Sequence, residues 1–266
     1  MSRVLLFSGT HPRHLYLHSQ LLATPNDFAA VVMVREGLDQ ELPARLSAID
    51  AFNGERHFKE RERLEYLHFG SRKADEVFAG LPLRNTTPND LNSDDTCAFV
   101  RDFDPQVVIV FGTDLIRSPL MEVLPTDTIN VHLGISPRYR GSATLFWPFY
   151  FLEPQYAGVT FHRVIHEPDA GAVLHQFQTE LRSGDGIHDV GVRSVLQAAD
   201  ELVEILLRRD EGWTFHVQRS TGKNFLSRDF RYEHLRVNYT LFGDRMVDAY
   251  LAGELGEGGP SLVKAF

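Results

Sequence analysis

Asn130 and His132 stand two residues apart in the run Ile129-Asn130-Val131-His132-Leu133-Gly134. On a strand, side chains alternate, so both would project from one face. At the C-terminal end of a strand in a parallel sheet they would lie where α/β proteins bind ligands. An amide donor beside an imidazole suits acyl transfer from one amine to another. The amide holds a developing oxyanion, and the imidazole moves protons near neutral pH. Asp169 follows in His166-Glu167-Pro168-Asp169-Ala170-Gly171. A carboxylate there would orient the imidazole and hold its charged form.

The elements that must position these groups read as α/β. Val4-Leu5-Leu6-Phe7 is an apolar run that enters the turn Ser8-Gly9-Thr10, the mark of a buried strand. An imperfect helical stripe (Leu15, Leu17, Leu21, Leu22) and a second apolar run over 29–34 follow, and strand, helix, strand starts a parallel sheet. The segment 39–80 is polar, with helical patches such as 61–67. Thr87-Pro88-Asn89-Asp90 reads as the start of a helix that runs to about Phe103. Val107-Val108-Ile109-Val110-Phe111 is the most strand-like run, suited to a central parallel strand covered on both faces. After the 128–132 strand, a loop with Gly134, Pro137 and Gly141 leads to an expected helix from about Ser142. Two strands, 158–164 and 172–178, flank the loop that carries Asp169. A long helix over 188–209, a strand over 213–217 and a helix near 244–251 complete the pattern.

The pattern Asn130-x-His132-x-Gly134-x-x-Pro137-x-Tyr139-Arg140-Gly141, followed by Gly158-Val159-Thr160 and Asp169-Ala170-Gly171, resembles the folate-dependent formyltransferases. That family includes phosphoribosylglycinamide, methionyl-tRNA and sugar N-formyltransferases. The resemblance covers roughly 100–180 well and 1–35 only as a generic Rossmann-like start. It implies an α/β Rossmann-like formyltransferase fold with a mostly parallel sheet over 1–185. Residues 186–266 would form a C-terminal helix and small α+β appendage. It implies formyl transfer from 10-formyltetrahydrofolate to an amine, with Asn130, His132 and Asp169 as the catalytic set and no metal. Folate would sit against Phe111, Gly112, Thr113, Asp114 and Leu115. Gly134, where many relatives carry serine, is similar to the sugar enzymes, so the preferred acceptor is a nucleotide-linked amino sugar. Ser8, Gly9, Thr10 and Arg13, ahead of a helix, would bind its anionic group. The alternatives are another small amine such as an amino acid derivative or glycinamide ribotide, a 10-formyltetrahydrofolate hydrolase, and a non-catalytic folate or nucleotide binder.

Composition narrows the rest. The chain has 266 residues, 43% of them hydrophobic, and carries net charge -9. That is one large domain or one and a half, and its acidity disfavours nucleic-acid backbones. The single cysteine, Cys97, excludes disulfide scaffolds and cysteine-rich zinc modules and suits a reducing compartment. The longest apolar stretch, 145–152, contains Pro148 and is far short of the ~20 residues that span a bilayer. A soluble cytoplasmic protein is expected, with no signal-peptide core and no nucleic-acid or membrane partner. Aromatic residues Phe225, Phe230, Tyr232, Tyr239 and Phe242 are expected to pack the C-terminal part and leave a homodimer open. His11, His14 and His18 have helical spacing but no interleaved carboxylate, and are read as exposed rather than metal-binding. His162 and His166 are read as structural, Arg140 as a loop pin, and Cys97, Trp147, Phe149, Tyr150 and Phe151 as core.

Overall fold

The computed structural model describes residues 1–35, 43, 45–219 and 222–266. The first half runs β1 (Arg3–Gly9), α1 (Pro12–Leu21), β2 (Asp27–Met33), α2 (Ala48–Phe69), α3 (Ala74–Val77), β3 (Leu83–Thr86), α4 (Asp94–Phe103) and β4 (Val107–Phe111). The second half runs α5 (Leu120–Val123), β5 (Thr128–His132), β6 (Tyr139–Gly141), α6 (Trp147–Tyr150), β7 (Gly158–Arg163), β8 (Val173–Gln178), α7 (Ile187–Leu207), β9 (Lys223–Phe225) and α8 (Met246–Leu251).

Seven strands form one sheet in the order β3-β2-β1-β4-β5-β7-β8. The pairs from β3 through β5 are parallel, and β7 is antiparallel to both β5 and β8. Continuous apolar runs are what a strand covered on both faces requires, and alternation sorts them. Val4 and Leu6 pack with Leu15, Leu17 and Leu21 of α1 and Val195 and Leu202 of α7. Leu5 and Phe7 pack with Cys97 and Val100 of α4 on the opposite face. A third cluster joins 139–157 to the C-terminal part through Tyr139, Phe146, Trp147, Phe225, Leu235 and Tyr239. Strand β9 pairs in parallel with β6.

Several elements differ from expectation. Helix α4 begins at Asp94, because Ser93 caps it by accepting from the Thr96 amide at 3.4 Å. Thr87 and Asp90 instead close their own turn, the Thr87 hydroxyl donating to Asp90 Oδ2 at 2.7 Å. The helix expected from Ser142 is a single turn, Trp147–Tyr150, since Gly141 and Ala143 take positive φ and break the path. Of 213–217 only His216 pairs, with Val173. His14 and His18 are buried, not exposed; the His14 ring packs edge-on against Phe111 at 4.7 Å. Phe151 is about half exposed, while Trp147 and Phe149 are core as expected.

Candidate active site

Strand β5 ends at the carboxyl edge of the sheet and delivers Asn130 and His132 there together. Asp169 reaches them from the loop between β7 and β8. Its carboxylate is the hub. Oδ1 lies 3.3 Å from Asn130 Nδ2 and 3.2 Å from His162 Nε2. Oδ2 accepts from the Gly141 amide at 2.8 Å and lies 3.3 Å from His132 Nδ1. Asp169 itself adopts a left-handed backbone, φ 51°, which aspartate tolerates better than most residues.

Both flanking loops are tied down by buried polar groups. Thr160 Oγ1 donates to Gly134 O at 2.7 Å and accepts from the Ser136 amide at 3.0 Å, and Gln176 Nε2 donates to Ser136 O at 2.7 Å. Buried Arg140 donates to Pro168 O at 3.2 Å and pairs with Glu167 at 2.8 Å, so it pins the Asp169 loop as its sequence context suggested. Gln218 Nε2 donates to Asp169 O at 3.0 Å. Gly141 has φ +89°, and a Cβ there would collide with the Phe225 carbonyl. Its amide can therefore approach Asp169 only because it has no side chain.

The electrostatics follow from burial and these contacts. Burial lowers the His132 pKa below its ordinary value, and Asp169 opposes that only in part. For Asp169, burial pushes the pKa up, but His132, His162 and the Gly141 amide outweigh it and hold the carboxyl well below its ordinary value. At neutral pH the pair is therefore a neutral imidazole beside a carboxylate. His132 Nε2 lies 2.8 Å from the Tyr139 carbonyl, the shorter of the ring's two contacts, and the tautomer with its proton on Nε2 donates it there. Nδ1 and Asp169 Oδ2 then face each other as two acceptors 3.3 Å apart, a gap that lacks one proton.

A cavity of about 550 Å³ opens on this cluster. Asn130, His132, His162 and Asp169 line it, as do Phe111, Gly112, Thr113, Asp114 and Leu115 at the end of β4. Asn224, Phe225, Leu226 and Ser227 form part of its wall, so the C-terminal part reaches the site. The other candidates fall elsewhere. A second cavity of about 410 Å³ lies beside this one; Ser8 is buried, and Ser8, Gly9 and Thr10 line neither cavity, whereas Arg13 lines the second. Gly134 lines neither. A Cβ there would sit 2.7 Å from Thr144 Cβ and 2.8 Å from His132 Nε2, so its place in the site is to leave room for the imidazole. His162, read as structural, belongs to the cluster. Antiparallel pairing sets it directly opposite Asn130. Among the described residues, no group of three or more His, Cys, Asp or Glu side chains is arranged to hold a metal ion. Among them, too, no helix is long and apolar enough to cross a membrane.

A doubly covered, mostly parallel sheet with a buried acid–base cluster at its carboxyl edge defines an α/β protein built to act on a bound ligand. A family model described as "Formyl transferase" matches residues 57–206, and the chain belongs to that family. It is 28% identical over 135 residues to the GDP-perosamine N-formyltransferase of Brucella melitensis, covering 50% of this chain and 52% of that one. It is 28% identical over 162 residues to the methionyl-tRNA formyltransferase of Borrelia turicatae, covering 59% and 52%. The chain thus spans about half the length of the curated relatives it matches. In three dimensions it is similar to an N-formyltransferase of Helicobacter canadensis, solved with folinic acid and dTDP-3-aminofucose. The TM-score is 0.55 at 12% identity, over 93% of this chain and 81% of that one.

Proposed function

We propose that this protein is a cytoplasmic enzyme that transfers the formyl group of 10-formyltetrahydrofolate to the amine of a nucleotide-linked amino sugar. The observation that carries the reading is the cluster itself: Asp169 lies 3.3 Å from both His132 Nδ1 and the Asn130 amide in the wall of the 550 Å³ cavity. Family membership supports the reaction class. The names of the Brucella relative and the Helicobacter structure support an amino sugar as acceptor and a folate as donor.

Each residue then has a task. Asn130 donates to the formyl oxygen as negative charge gathers on it, a contact type worth about 3 kcal/mol. The acceptor nitrogen bonds to the formyl carbon, and the bond from that carbon to the folate nitrogen breaks. The proton shed by the amine enters the gap between Asp169 Oδ2 and His132 Nδ1. The imidazolium so formed is already accommodated, with Tyr139 O and Asp169 accepting its two N–H groups. The same proton then leaves to the departing folate nitrogen, so none is consumed. His132 is assigned this relay because its Nδ1 faces Asp169 Oδ2 across 3.3 Å. Phe111 to Leu115 form the folate wall, where the backbone at the strand end makes the contacts. The reading places the catalytic unit in 1–185, with 186–266 completing the cavity, and needs only small-molecule partners. A homodimer is part of the same proposal.

The test follows tetrahydrofolate release from 10-formyltetrahydrofolate by absorbance, with GDP-, dTDP- and UDP-linked amino sugars, glycinamide ribotide and no amine. Release that depends on an amino-sugar nucleotide, and is lost in Asn130→Ala and His132→Ala, supports the reading. Release without any amine assigns hydrolysis instead.

A further inference from the structure

Strand β8 stands at the outer edge of the sheet, with β7 on one side only. A bare strand edge leaves a row of backbone groups unpaired. Two distant segments fill this one. His216 exchanges both backbone bonds with Val173 at 2.8 Å each, and the Gln176 amide donates to Val263 O at 2.7 Å. Residues 263–266 thus run along β8 as a strap, and buried His175 fastens its far end. The Ala265 amide donates to His175 Nδ1 at 2.9 Å, and the Phe266 ring stacks on the His175 ring at 5.1 Å. His175 is held in turn from α7, with Nε2 2.7 Å from Glu201 Oε2.

The strap also grips a side chain. The Val263 amide donates to Gln176 Oε1 at 3.3 Å, so one strap residue holds Gln176 by both backbone and side chain. Gln176 Nε2 then points inward and donates to Ser136 O at 2.7 Å and to Thr160 Oγ1 at 3.0 Å. The amide is oriented from both ends. Turned over, it would set Oε1 against the Ser136 carbonyl and Nε2 against the Val263 N–H, two like pairs in a buried place. From Ser136 the contacts continue to the cluster. Ile135 O accepts from the Tyr139 amide at 3.0 Å, and Tyr139 O lies 2.8 Å from His132 Nε2. The loop that Gln176 pins is therefore the loop that holds the imidazole on the side away from Asp169.

We infer that Gln176 is a positioning residue for His132, and that the strap 263–266 sets it by orienting its amide. Neither Gln176 nor Val263 lines the central cavity or its neighbour, so both act through the loop and not on a ligand. Only the effect on rate rests on the proposed transfer reaction; the seating of His132 is read independently of it.

The test uses two variants of the full chain. Val263→Pro removes the N–H that Gln176 Oε1 accepts and keeps the carbonyl that Gln176 N–H needs. Gln176→Leu keeps most of the bulk and removes the side-chain contacts at both ends. Nitrogen-15 NMR of histidine-labelled protein reports the hydrogen bonding of His132 Nε2, its signals assigned by their absence in His132→Ala. Formyl release with GDP-, dTDP- and UDP-linked amino sugars gives kcat and KM, and titration with 5-formyltetrahydrofolate gives folate affinity. Both variants should shift the His132 signals. Misplacing a reacting group lowers kcat by about tenfold to hundredfold, with KM and folate affinity unchanged and Val263→Pro the milder of the two. Folded variants whose His132 signals match wild type overturn the inference, and so does a raised KM at unchanged kcat. Should Gln176→Leu fail to fold, Val263→Pro, which alters only the strap on the sheet edge, decides by the same readouts. Shifted His132 signals in a protein that releases tetrahydrofolate without any amine would uphold the positioning and overturn the transfer reading alone.

Discussion

Replacing Asp169 by asparagine keeps the shape of the side chain and removes its charge. The amide can still place its oxygen on the Gly141 N–H, now 2.8 Å from Asp169 Oδ2. Its nitrogen then takes the Oδ1 position, facing His162 Nε2 at 3.2 Å and meeting the Asn130 amide at 3.3 Å donor to donor. Most of the packing survives, so a cost of about 1–3 kcal/mol in stability is expected. The chemistry suffers more. A neutral amide oxygen no longer holds a proton against His132 Nδ1, and a lost general base costs about 10²- to 10⁴-fold in rate, or about 3–5 kcal/mol. The pH dependence carries the sign. Asp169 raises the His132 pKa against burial, so removing its charge lowers that pKa further. The acid limb of kcat/KM should then move to lower pH in Asp169→Asn. Stability gives a second readout. The folded pKa of Asp169 lies below its ordinary value, so its contribution is present above about pH 4 and is lost as pH falls through the folded pKa. The stability gap between wild type and variant should shrink below about pH 4. Formyl-release kinetics from pH 5 to 9 and urea melts at pH 3 and 7 check this. Activity within threefold of wild type, or an acid limb that moves to higher pH, would refute the proton-gap argument.

Three further outcomes are expected. Asn130→Ala removes the oxyanion donor and should cut kcat by about 10²- to 10³-fold with little change in folate affinity, as single-turnover and folate-binding measurements would show. Gly134→Ala puts a Cβ 2.7 Å from Thr144 Cβ and 2.8 Å from His132 Nε2. It should cost about 1–3 kcal/mol in thermal stability and at least tenfold in rate through the displaced imidazole. Gly191→Ala, inside α7 with the nearest atom of Leu145 at 3.9 Å, should instead raise stability by about 0.5–1 kcal/mol, read as a higher Tm.

The sheet was legible because buried parallel strands need unbroken apolar runs, and 4–7 and 107–111 have them. Asn130, His132 and Asp169 were legible as types and through the motif that surrounds them. His162 was not, because its place depends on the register of β7 against β5, which no local pattern encodes. Helix α2 was only glimpsed for a different reason. The face it buries includes Asp50, Asn53, His57 and Glu65, and a search for an apolar stripe passes over such a face. The β6–β9 pair joins segments some 80 residues apart, beyond any local signal. The buried histidines of α1 misled in the same way, since His14 and His18 look like surface residues until the sheet covers them.

These misses share a consequence for the chemistry. The pKa of His132 is set by burial first and by Asp169 second, and burial is a property of the assembled walls. Part of the wall is Asn224 to Ser227, brought in by the pairing of β9 with β6. Phe225 anchors that pairing by stacking on Trp147 at 4.5 Å, and its carbonyl passes so close to Gly141 that only glycine fits. Gly141 in turn gives its amide to Asp169. The C-terminal segment thus acts on the His132–Asp169 pair along two routes. It excludes water, which holds the imidazole neutral, and it seats the backbone donor, which helps hold the carboxylate ionised. Loosening it would admit water and draw the His132 pKa back up toward its ordinary value, so that more of the imidazole carries a second proton at neutral pH with every side chain of the cluster still in place.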